Sequence, residues 1–378
     1  MYNYIPLEQA ADILDSYRKP VNSKERLNLI KGKPLDELFP YYGATGQVGW
    51  IDSFLTDGEY ILLGEDGAPF LNPYAEKAYI IHGKTWVNNH AHILRSKTNN
   101  EFLCYYLNYF NYKKYVSGTT RLKLTQAQMR KIPIPNIPSD EQFRIVARIE
   151  ELFSELDKAV DTLKTTKEQL EVYRQAVLKD AFSKVSQYAP LGNVATPRLG
   201  KMLDKQKNTG TPKKYLRNIN VRWFSFDLAD LQEMKIEETE FEKYTIKKDD
   251  LVICEGGEPG RCAVWDKNET IYFQKALHRV RFTVESEPRL YMYYIWFMTN
   301  TGALNKFYTG TGIKHLTGQS LEKVFVPVID IKTQQKLLAS IESRLSVCDS
   351  VEKIVDTALA QADALRQSIL KQAFEGKI

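Results

Sequence analysis

The sequence predicts an α+β protein in which two α/β domains are separated by two long antiparallel helices that form a coiled coil, with a pseudo-two-fold internal repeat. Three observations predict this fold. Residues 139–182 lack proline and glycine and carry a regular apolar stripe, the chain repeats itself after 192 residues, and the segments before both stripes are rich in glycine, aromatic and β-branched residues. That last composition is typical of short strands joined by turns.

The apolar stripe alternates spacings of four and three residues, which is the 3.5-residue period of a coiled-coil seam. Three prolines precede it, and Ser139 with Gln142 three residues later matches a capping box, so we expect the helix to begin at Ser139. Such a stripe requires a partner helix. Its seam positions are Ile145, Ile149, Leu152, Leu156, Ala159, Leu163, Thr166, Leu170, Tyr173 and Val177.

The partner helix is predicted in the same chain. Residues 118–186 align with residues 310–378 without a gap, and about 21 of the 69 positions are identical, which indicates a duplicated unit. The seam continues in the second copy at Leu337, Ile341, Arg344, Cys348, Val351, Val355, Ala358, Ala362, Leu365 and Ile369.

Connectivity predicts the orientation of the two helices. Each would span about 65 Å, whereas a compact domain between them has a radius of gyration of about 15 Å. The chain leaves the end of one helix and enters the start of the other through that domain, so the helices should be antiparallel, with one domain at each end. We expect a first domain at 1–138, a first long helix at 139–186, a second domain at 187–330 and a second long helix at 331–378.

The composition is that of a soluble globular protein, with 43% hydrophobic and 26% charged residues. Four cysteines without a C-x-x-C pair favour reduced, mostly buried thiols over a disulfide framework or a zinc ribbon. The first residues lack a secretion signal and no apolar run approaches a membrane span, so we expect a cytoplasmic protein. The net charge of +5 suits an acidic polymer as partner without requiring one.

Motifs for catalysis are incomplete. Residues 83–85 (GKT) resemble the end of a phosphate-binding loop but lack its first glycine, and residues 72–74 (NPY) resemble an adenine-methyltransferase signature without its second proline. Asp227, Glu233 and Lys235 have the outline of a metal-dependent nuclease, although charged sequence produces such triplets by chance. These patterns favour turns and solvated charges over active sites.

Polar side chains in the predicted loops of both halves favour a nucleic-acid reading surface, because amide and guanidinium groups contact base edges while lysines and hydroxyls hold phosphates. His90 and His92 fit that surface better than a metal site, which would need further ligands nearby. The candidates in the first half are Tyr41, Tyr42, Thr45, Gln47, Lys84, Asn88, Asn89, His90, His92, Thr119, Thr120, Arg121 and Lys123. Those in the second half are Arg217, Asn218, Asn220, Arg222, Glu258, Arg261, Gln274, Lys275, His278, Arg279, Thr311, Lys314 and His315.

The whole chain resembles the specificity subunit of type I restriction-modification systems. The stretches that carry the resemblance are YYGATGQVGWIDSF, GEDGA, WVNNHAHILR, SDEQFRIVARIEELF with its preceding I-P-x-P segment, VICEGGEPGR and YFQKALHRVRF. The resemblance implies a non-catalytic subunit whose two target-recognition domains read the halves of a split, asymmetric site in double-stranded DNA. It also implies that the long helices set the spacing and dock two methyltransferase subunits, and that nuclease/translocase subunits join the complex.

The resemblance further implies that this chain holds no cofactor or metal, with S-adenosylmethionine on the modification partner and ATP and magnesium on the translocating partner; no membrane is involved. Three alternatives stay open at this point. They are a recognition subunit of a related restriction or phage-defence methyltransferase system, an enzyme with an undetected site, and a coiled-coil scaffold that binds only protein.

If the helices set the spacing, lengthening them should lengthen the unspecified gap of the DNA motif. One heptad inserted after Leu163 and one after Val355 keeps the seam in register and adds about 10 Å to each helix. We expect a gap about three base pairs longer, with both half-site sequences retained, in methylation mapping of cells that carry the variant and its partners. An unaltered gap would show that the helices do not set the spacing.

Overall fold

The computed structural model describes residues 2–204, 206 and 208–378. The chain forms two compact units, one from Met1–Lys164 with Val355–Ile378 and the other from Thr165–Ile354. Each unit therefore contains one set of strands together with part of both long helices. The prediction of an α+β chain with two α/β halves and two paired long helices is confirmed.

The first unit alternates short strands with short helices. Its elements are β1 (Tyr4–Pro6), α1 (Leu7–Ala10), β2 (Ala11–Ile13), α2 (Ser23–Ile30), β3 (Phe39–Gly43), β4 (Gly46–Ile51), β5 (Thr56–Asp57), β6 (Tyr60–Gly64), β7 (Ala78–Ile81), β8 (Lys84–Val87), β9 (Ala91–Ser96), α3 (Asn100–Tyr109), α4 (Gln126–Met129) and β10 (Pro133–Pro135). The first long helix, α5 (Ser139–Ser183), begins in this unit.

The second unit repeats this pattern. Its elements are β11 (Tyr188–Pro190), β12 (Ala195–Leu199), β13 (Thr211–Leu216), β14 (Val221–Arg222), β15 (Ser225–Phe226), β16 (Gln232–Ile236), α6 (Phe241–Tyr244), β17 (Thr245–Ile246), β18 (Leu251–Cys254), β19 (Cys262–Val264), β20 (Ile271–Phe273), β21 (Leu277–Phe282), α7 (Pro288–Asn300), α8 (Gly318–Glu322) and β22 (Phe325–Pro327). The second long helix is α9 (Ile331–Phe374).

The two units have the same sheet topology. The first has four-stranded sheets in the orders β2-β9-β6-β7 and β4-β3-β8-β5 and the pair β1-β10, and the second has β12-β21-β18-β19, β16-β13-β20-β17 and β11-β22. The second unit adds the hairpin β14-β15. The internal repeat thus includes the globular parts, whose sequences align only beyond Gly118 and Gly310.

The sequence explains the central strands and the helix that covers them. All five residues of β6 and all four of β18 are buried, which is expected of short, continuous apolar runs with neighbours on both sides. Helix α3 begins after Asn99, whose side chain accepts a hydrogen bond from the Phe102 backbone N–H, and it buries Phe102 and Leu107.

The long helices pack antiparallel, as predicted. In the first unit, Ile145 near the start of α5 shares a core with Ile369 and Phe374 near the end of α9. In the second unit, Val177 near the end of α5 shares a core with Ile341 near the start of α9. The start of each helix is therefore beside the end of the other.

The predicted seam drifts along both helices. Tyr173 is 44% exposed and the adjacent Arg174 takes its place in the interface at 7%, while the predicted pairing residue Leu365 is 48% exposed. A strict seven-residue repeat drifts by about 20° per heptad relative to a straight helix, so the contact face moves to a neighbouring residue. The predicted positions that are buried are Ile145, Ile149, Val177, Ile341, Cys348, Val355, Ala362 and Ile369. The half-buried ones are Leu152, Leu156, Leu163, Thr166, Leu170, Leu337, Arg344, Val351 and Ala358, and Ala159 is exposed together with Tyr173 and Leu365.

The expected capping box at the start of α5 is wrong. The Gln142 side chain is buried and donates to the Ile137 carbonyl while it accepts from Thr98, so it ties the helix to the globular part of its unit. Gln334, its repeat counterpart, donates to the Ile329 carbonyl and accepts from the Glu287 backbone N–H. In both helices this glutamine therefore bonds the helix start to the globular part of its own unit instead of capping the first turn.

Two Arg–Asp pairs join the helices at repeat-related positions. Arg174 donates to Asp349 at 2.7 Å and to Glu352 at 2.8 Å, and Arg366 pairs with Asp157. Arg366 is Arg174 shifted by 192 residues, and Asp349 is Asp157 shifted by the same number. Only the Arg174 side chain is nearly buried, at 9% exposure against 34% for Arg366.

Replacing these arginines should therefore have unequal effects on stability. Arg174→Met keeps the aliphatic stem but removes the charge between two carboxylates, so we expect the free energy of unfolding of the second unit to fall by about 1–3 kcal/mol. Arg366→Met, the matched control, should cost at most about 1 kcal/mol because its pair is exposed. Urea unfolding followed by circular dichroism measures both values. Equal effects would contradict a special role for the buried pair.

Candidate nucleic-acid interface

Four loops of the first unit lie side by side. The Asn88 N–H donates to the Tyr42 carbonyl at 3.1 Å, which joins the turn after β8 to the β3–β4 turn. The Glu65 N–H donates to the His90 carbonyl at 2.8 Å, and the Gly67 N–H to the Leu122 carbonyl at 3.1 Å. The loop after β6 thus connects the turn after β8 to residues 117–123. We call this continuous set of loops the first reading surface.

Two carboxylates organise the basic side chains of the first reading surface. Asp66 Oδ1 is 2.6 Å from His90 Nδ1 and 2.8 Å from Arg121. Glu65 pairs with Arg18 at 2.5 Å and with Lys123 at 3.2 Å. Burial on its own would raise the pKa of Glu65, but the Arg18 hydrogen bond and nearby positive charge lower it. These contacts hold long basic side chains in place above the loops.

A cleft of 680 Å³ opens beside this surface. It lies between residues 20–26, which lead into and begin α2, and the turn of residues 88–90. Arg26 lines the cleft with its guanidinium 4.9 Å from the centre of the Tyr41 ring. The cleft therefore places amide, guanidinium and imidazole groups around one concave surface.

The second unit builds the corresponding surface with two equivalent backbone hydrogen bonds. The Gln274 N–H donates to the Leu216 carbonyl at 3.1 Å, and the Glu255 N–H to the Ala276 carbonyl at 2.9 Å. Arg261 donates to the Asn218 carbonyl at 2.9 Å and pairs with Glu258 at 2.6 Å. We call this set of loops, with residues 309–315, the second reading surface.

The loops before α4 and α8 have matching conformations. Ser117 and Lys123 exchange two backbone hydrogen bonds of 3.0 and 2.8 Å, and Thr309 and His315 exchange two of 2.8 and 2.9 Å. The following residues, Leu124 and Leu316, each donate their N–H to the glutamate that follows the central strand, Glu65 or Glu255. The two surfaces therefore share a framework on which different side chains are mounted.

Most candidates of the first half lie on the first reading surface, but four do not contribute as expected. His92 is fully buried between Asp15 and the Leu124 carbonyl, and Tyr41 is buried with its hydroxyl on the Val21 backbone. Asn88 is 8% exposed and accepts from the His90 N–H, so it forms the turn. Lys84 lies at the opposite end of β8. Tyr42 is half-buried, and the accessible candidates are Thr45, Gln47, Asn89, His90, Thr119, Thr120, Arg121 and Lys123.

Three candidates of the second half are buried and serve the fold. Asn220 donates to the Asp227 and Asp230 carbonyls, and His278 donates from Nε2 to the Leu316 carbonyl. Arg279 lies in β21 and is only 5% exposed, because its guanidinium donates to the Thr245 carbonyl in β17 of the other four-stranded sheet. The accessible or half-buried candidates are Arg217, Asn218, Arg222, Glu258, Arg261, Gln274, Lys275, Thr311, Lys314 and His315.

Sequence reasoning missed residues that organise these surfaces. Glu65 and Asp66 are not among the predicted candidates, although they lie in the GEDGA stretch. Arg18 and Arg26 come from segments without any recognisable motif. Ile313, an apolar residue, is not among the predicted candidates. Only the tertiary contacts identify these side chains.

Residues 2–204, 206 and 208–378 contain neither a candidate metal site nor a candidate membrane-spanning helix. In that part of the chain no group of three or more histidine, cysteine, aspartate or glutamate side chains could hold a metal ion. Neither does any helix there combine the length and apolar character needed to cross a membrane. The four cysteines are buried and unpaired, as the sequence predicted.

Comparison with known families decides what the chain is. The family model of the type I restriction modification DNA specificity domain matches residues 9–172 and again residues 191–353. The chain belongs to this family. The two matches correspond to the two halves of the internal repeat, so the chain carries two specificity domains.

Relatives agree with this assignment. The chain is 29% identical over 371 residues to a putative type I restriction enzyme specificity subunit of Haemophilus influenzae, covering 94% of this chain and 91% of that protein. It is 23% identical over 283 residues to the EcoKI specificity subunit of Escherichia coli, covering 69% of this chain and 61% of the relative.

Solved structures share the fold at low sequence identity. A chain from a study of complex assembly and conformational transition of the type I R-M system gives a TM-score of 0.74 at 15% identity, covering 100% of this chain and 98% of that one. The HsdS subunit from Thermoanaerobacter tengcongensis gives 0.58 at 15% identity, covering 100% and 97%.

Family membership defines the biochemical role. The chain is the DNA specificity subunit of a type I restriction-modification system and a non-catalytic component of that complex. The cofactors of such complexes reside on the modification and restriction subunits. The predictions of a specificity subunit and of cofactors on the partner subunits are confirmed.

The buried histidines of the specificity subunit differ in one contact. Both donate from Nε2 to the carbonyl of a leucine at the base of the matching loops, Leu124 or Leu316. His92 Nδ1 is 2.8 Å from Asp15, whereas His278 Nδ1 is buried without a hydrogen-bond partner among the described residues. Burial lowers the pKa of His278 from 6.5 to about 4.

This difference predicts acid sensitivity of the second unit. The unfolded chain binds a proton at His278 from about pH 6.5 downward while the folded chain does so only near pH 4, so the free energy of unfolding should fall by about 3 kcal/mol across that window. His278→Gln retains a donor without titrating and should flatten this pH dependence. His82→Gln, at an exposed histidine, is the control. Urea unfolding between pH 7 and pH 4 tests this, and an unchanged slope in His278→Gln would contradict it.

Proposed function

We propose that the two reading surfaces contact the two halves of a split, asymmetric site in double-stranded DNA, one half each. The observation that carries this proposal is the shared loop framework with different side chains. Identical strand orders present loops at equivalent places, which suits two similar contacts with DNA. The turn after β8 presents the side chains of Asn89 and His90, whereas the equivalent turn of the second unit presents Lys275. Because these groups form different hydrogen bonds with base edges, the two half-sites should differ in sequence.

The charges of the loops support a division into positioning and reading contacts. Lys123 and Lys314 are exposed on the matching loops, where point charges suit phosphate groups. Arg261 is held by Glu258 and by a backbone carbonyl, so its orientation is set before DNA arrives. A pre-oriented guanidinium suits a base edge, because two parallel hydrogen bonds require a defined plane.

The long helices are proposed to dock two methyltransferase subunits, to which the nuclease/translocase subunits add. Exposed apolar side chains on the helices support a protein partner there. In the second unit Val172, Val347 and Ile354 are 70%, 61% and 67% exposed, and in the first unit Phe143 is 56% exposed. Apolar groups repeated along helices are typical of protein interfaces. The complex would act in the cytoplasm, where the chromosome is accessible.

Exchanging one recognition domain should change one half-site only. Replacement of residues 190–325 by the corresponding segment of another family member leaves the first reading surface intact, because the two units have separate cores. We expect methylation mapping, with the modification partners present, to show a new sequence in one half of the motif and the original sequence in the other.

The reciprocal exchange of residues 5–133 is the matched control and should change the other half. Change of both halves by a single exchange would contradict independent reading. Absence of any split motif for the unaltered subunit would contradict the proposed function itself.

A further inference from the structure

Ile313 occupies an unusual position for an isoleucine. Its side chain is 74% exposed, more than any other large hydrophobic side chain in the described part of the chain. A single exposed apolar residue is ordinary on a protein surface. Ile313, however, lies at the tip of the loop that Thr309 and His315 close, within the second reading surface and between Thr311 and Lys314.

The repeat relates this tip to a charged one. Shifted by 192 residues, Ile313 corresponds to Arg121. The loops have the same backbone, since Gly118 and Gly310 have φ values of +98° and +95°. A Cβ at either glycine would collide with the carbonyl oxygen of the tip residue, Arg121 or Ile313. The two side chains therefore project from equivalent places.

The residue beside each tip also differs between the two units. Asp66 holds Arg121 at 2.8 Å in the first unit. Glu65 and Glu255 are counterparts, because their carbonyls accept the N–H groups of the equivalent residues Leu124 and Leu316. The next residue is Asp66 in the first unit and Gly256 in the second, so Gly256 is the counterpart of Asp66. The second unit thus lacks both the guanidinium and the carboxylate that orients it.

The chemistry of each tip indicates a different base. A guanidinium held on one side presents its remaining donors to the O6 and N7 acceptors of guanine. An aliphatic side chain has no hydrogen bonds to offer, and the apolar group that base edges display in the major groove is the C5-methyl of thymine. β-Branching restricts the rotamers of isoleucine, so little conformational freedom is lost on contact.

We propose that Ile313 contacts the C5-methyl group of a thymine in the half-site read by the second unit, at the place where the first unit uses Arg121 to contact a guanine. This inference rests on the proposed reading of one half-site by each unit. Lys314 beside it holds a phosphate and carries no base preference.

The first test uses the assembled complex of specificity and modification subunits. Methylation mapping with Ile313→Ala should relax one position of the second half-site and leave the first half-site unchanged. On synthetic duplexes, replacing the thymine at that position by deoxyuridine should weaken binding of the unaltered complex about fourfold, the effect of one lost methyl contact. Ile313→Ala should bind both duplexes equally. Lys314→Ala, the control, should weaken both equally while it keeps the difference between them.

The second test transfers the chemistry of the first unit. The double variant Gly256→Asp, Ile313→Arg rebuilds the carboxylate and guanidinium pair. An added Cβ at Gly256 would lie 3.1 Å from His315 Nδ1, and His315 is exposed and can move aside. We expect this variant to prefer a G·C pair at the same position. Ile313→Arg without the aspartate should discriminate less, because its guanidinium is not oriented.

Two results would overturn the proposal. One is an unchanged motif for Ile313→Ala, and the other is equal binding of thymine and deoxyuridine duplexes by the unaltered complex, as expected for a wedge between bases. In both cases a split motif for the unaltered subunit would leave the proposed function intact. Loss of that motif in the unaltered complex would remove both proposals together.

Discussion

The two globular cores depend on aromatic side chains that the ends of the long helices supply. Phe374, near the end of α9, has its ring centre 5.4 Å from that of Phe102 and 5.1 Å from that of Tyr106. Its repeat counterpart Phe182 lies 4.9 Å from Tyr294. Each core is thus completed by a helix that began in the other unit. Each core therefore contains residues from the start of one long helix and from the end of the other.

The contacts between the long helices are therefore part of the two globular cores. Burying an aromatic side chain contributes about 2–3 kcal/mol, and several rings surround each phenylalanine. Gln142 and Gln334 tie the helix starts to backbone carbonyls of the same units. Each long helix is thus held at its start by the hydrogen bonds of a glutamine and at its end by the burial of a phenylalanine.

The two loop surfaces combine a repeated framework with different exposed side chains. The shared parts are backbone hydrogen bonds, a buried histidine and glycines with positive φ, all of which are insensitive to surface side chains. The differing parts are exposed loop residues, whose replacement costs little stability. A protein built this way can change what it reads without refolding, since the interactions that hold the loops and those that face outward involve different atoms.

Local pattern alone was sufficient to predict the long helices, their antiparallel pairing and the internal repeat. Periodicity, proline positions and an ungapped alignment report on properties that are local or that compare the chain with itself. The motif stretches also indicated the family. The same alignment placed the loops after Gly118 and Gly310 at equivalent positions of the repeat.

Only the tertiary structure decided which side chains face outward. His92, His278 and Arg279 have the polar character of readers, yet each is buried and donates to a backbone carbonyl more than 30 residues away in the sequence. Asp66 is essential to the arrangement of Arg121, and its sequence context does not reveal it. Residue type determines what hydrogen bonds a side chain can make. Whether its partner is a buried carbonyl or a molecule outside depends on contacts between segments far apart in sequence, which no local pattern encodes.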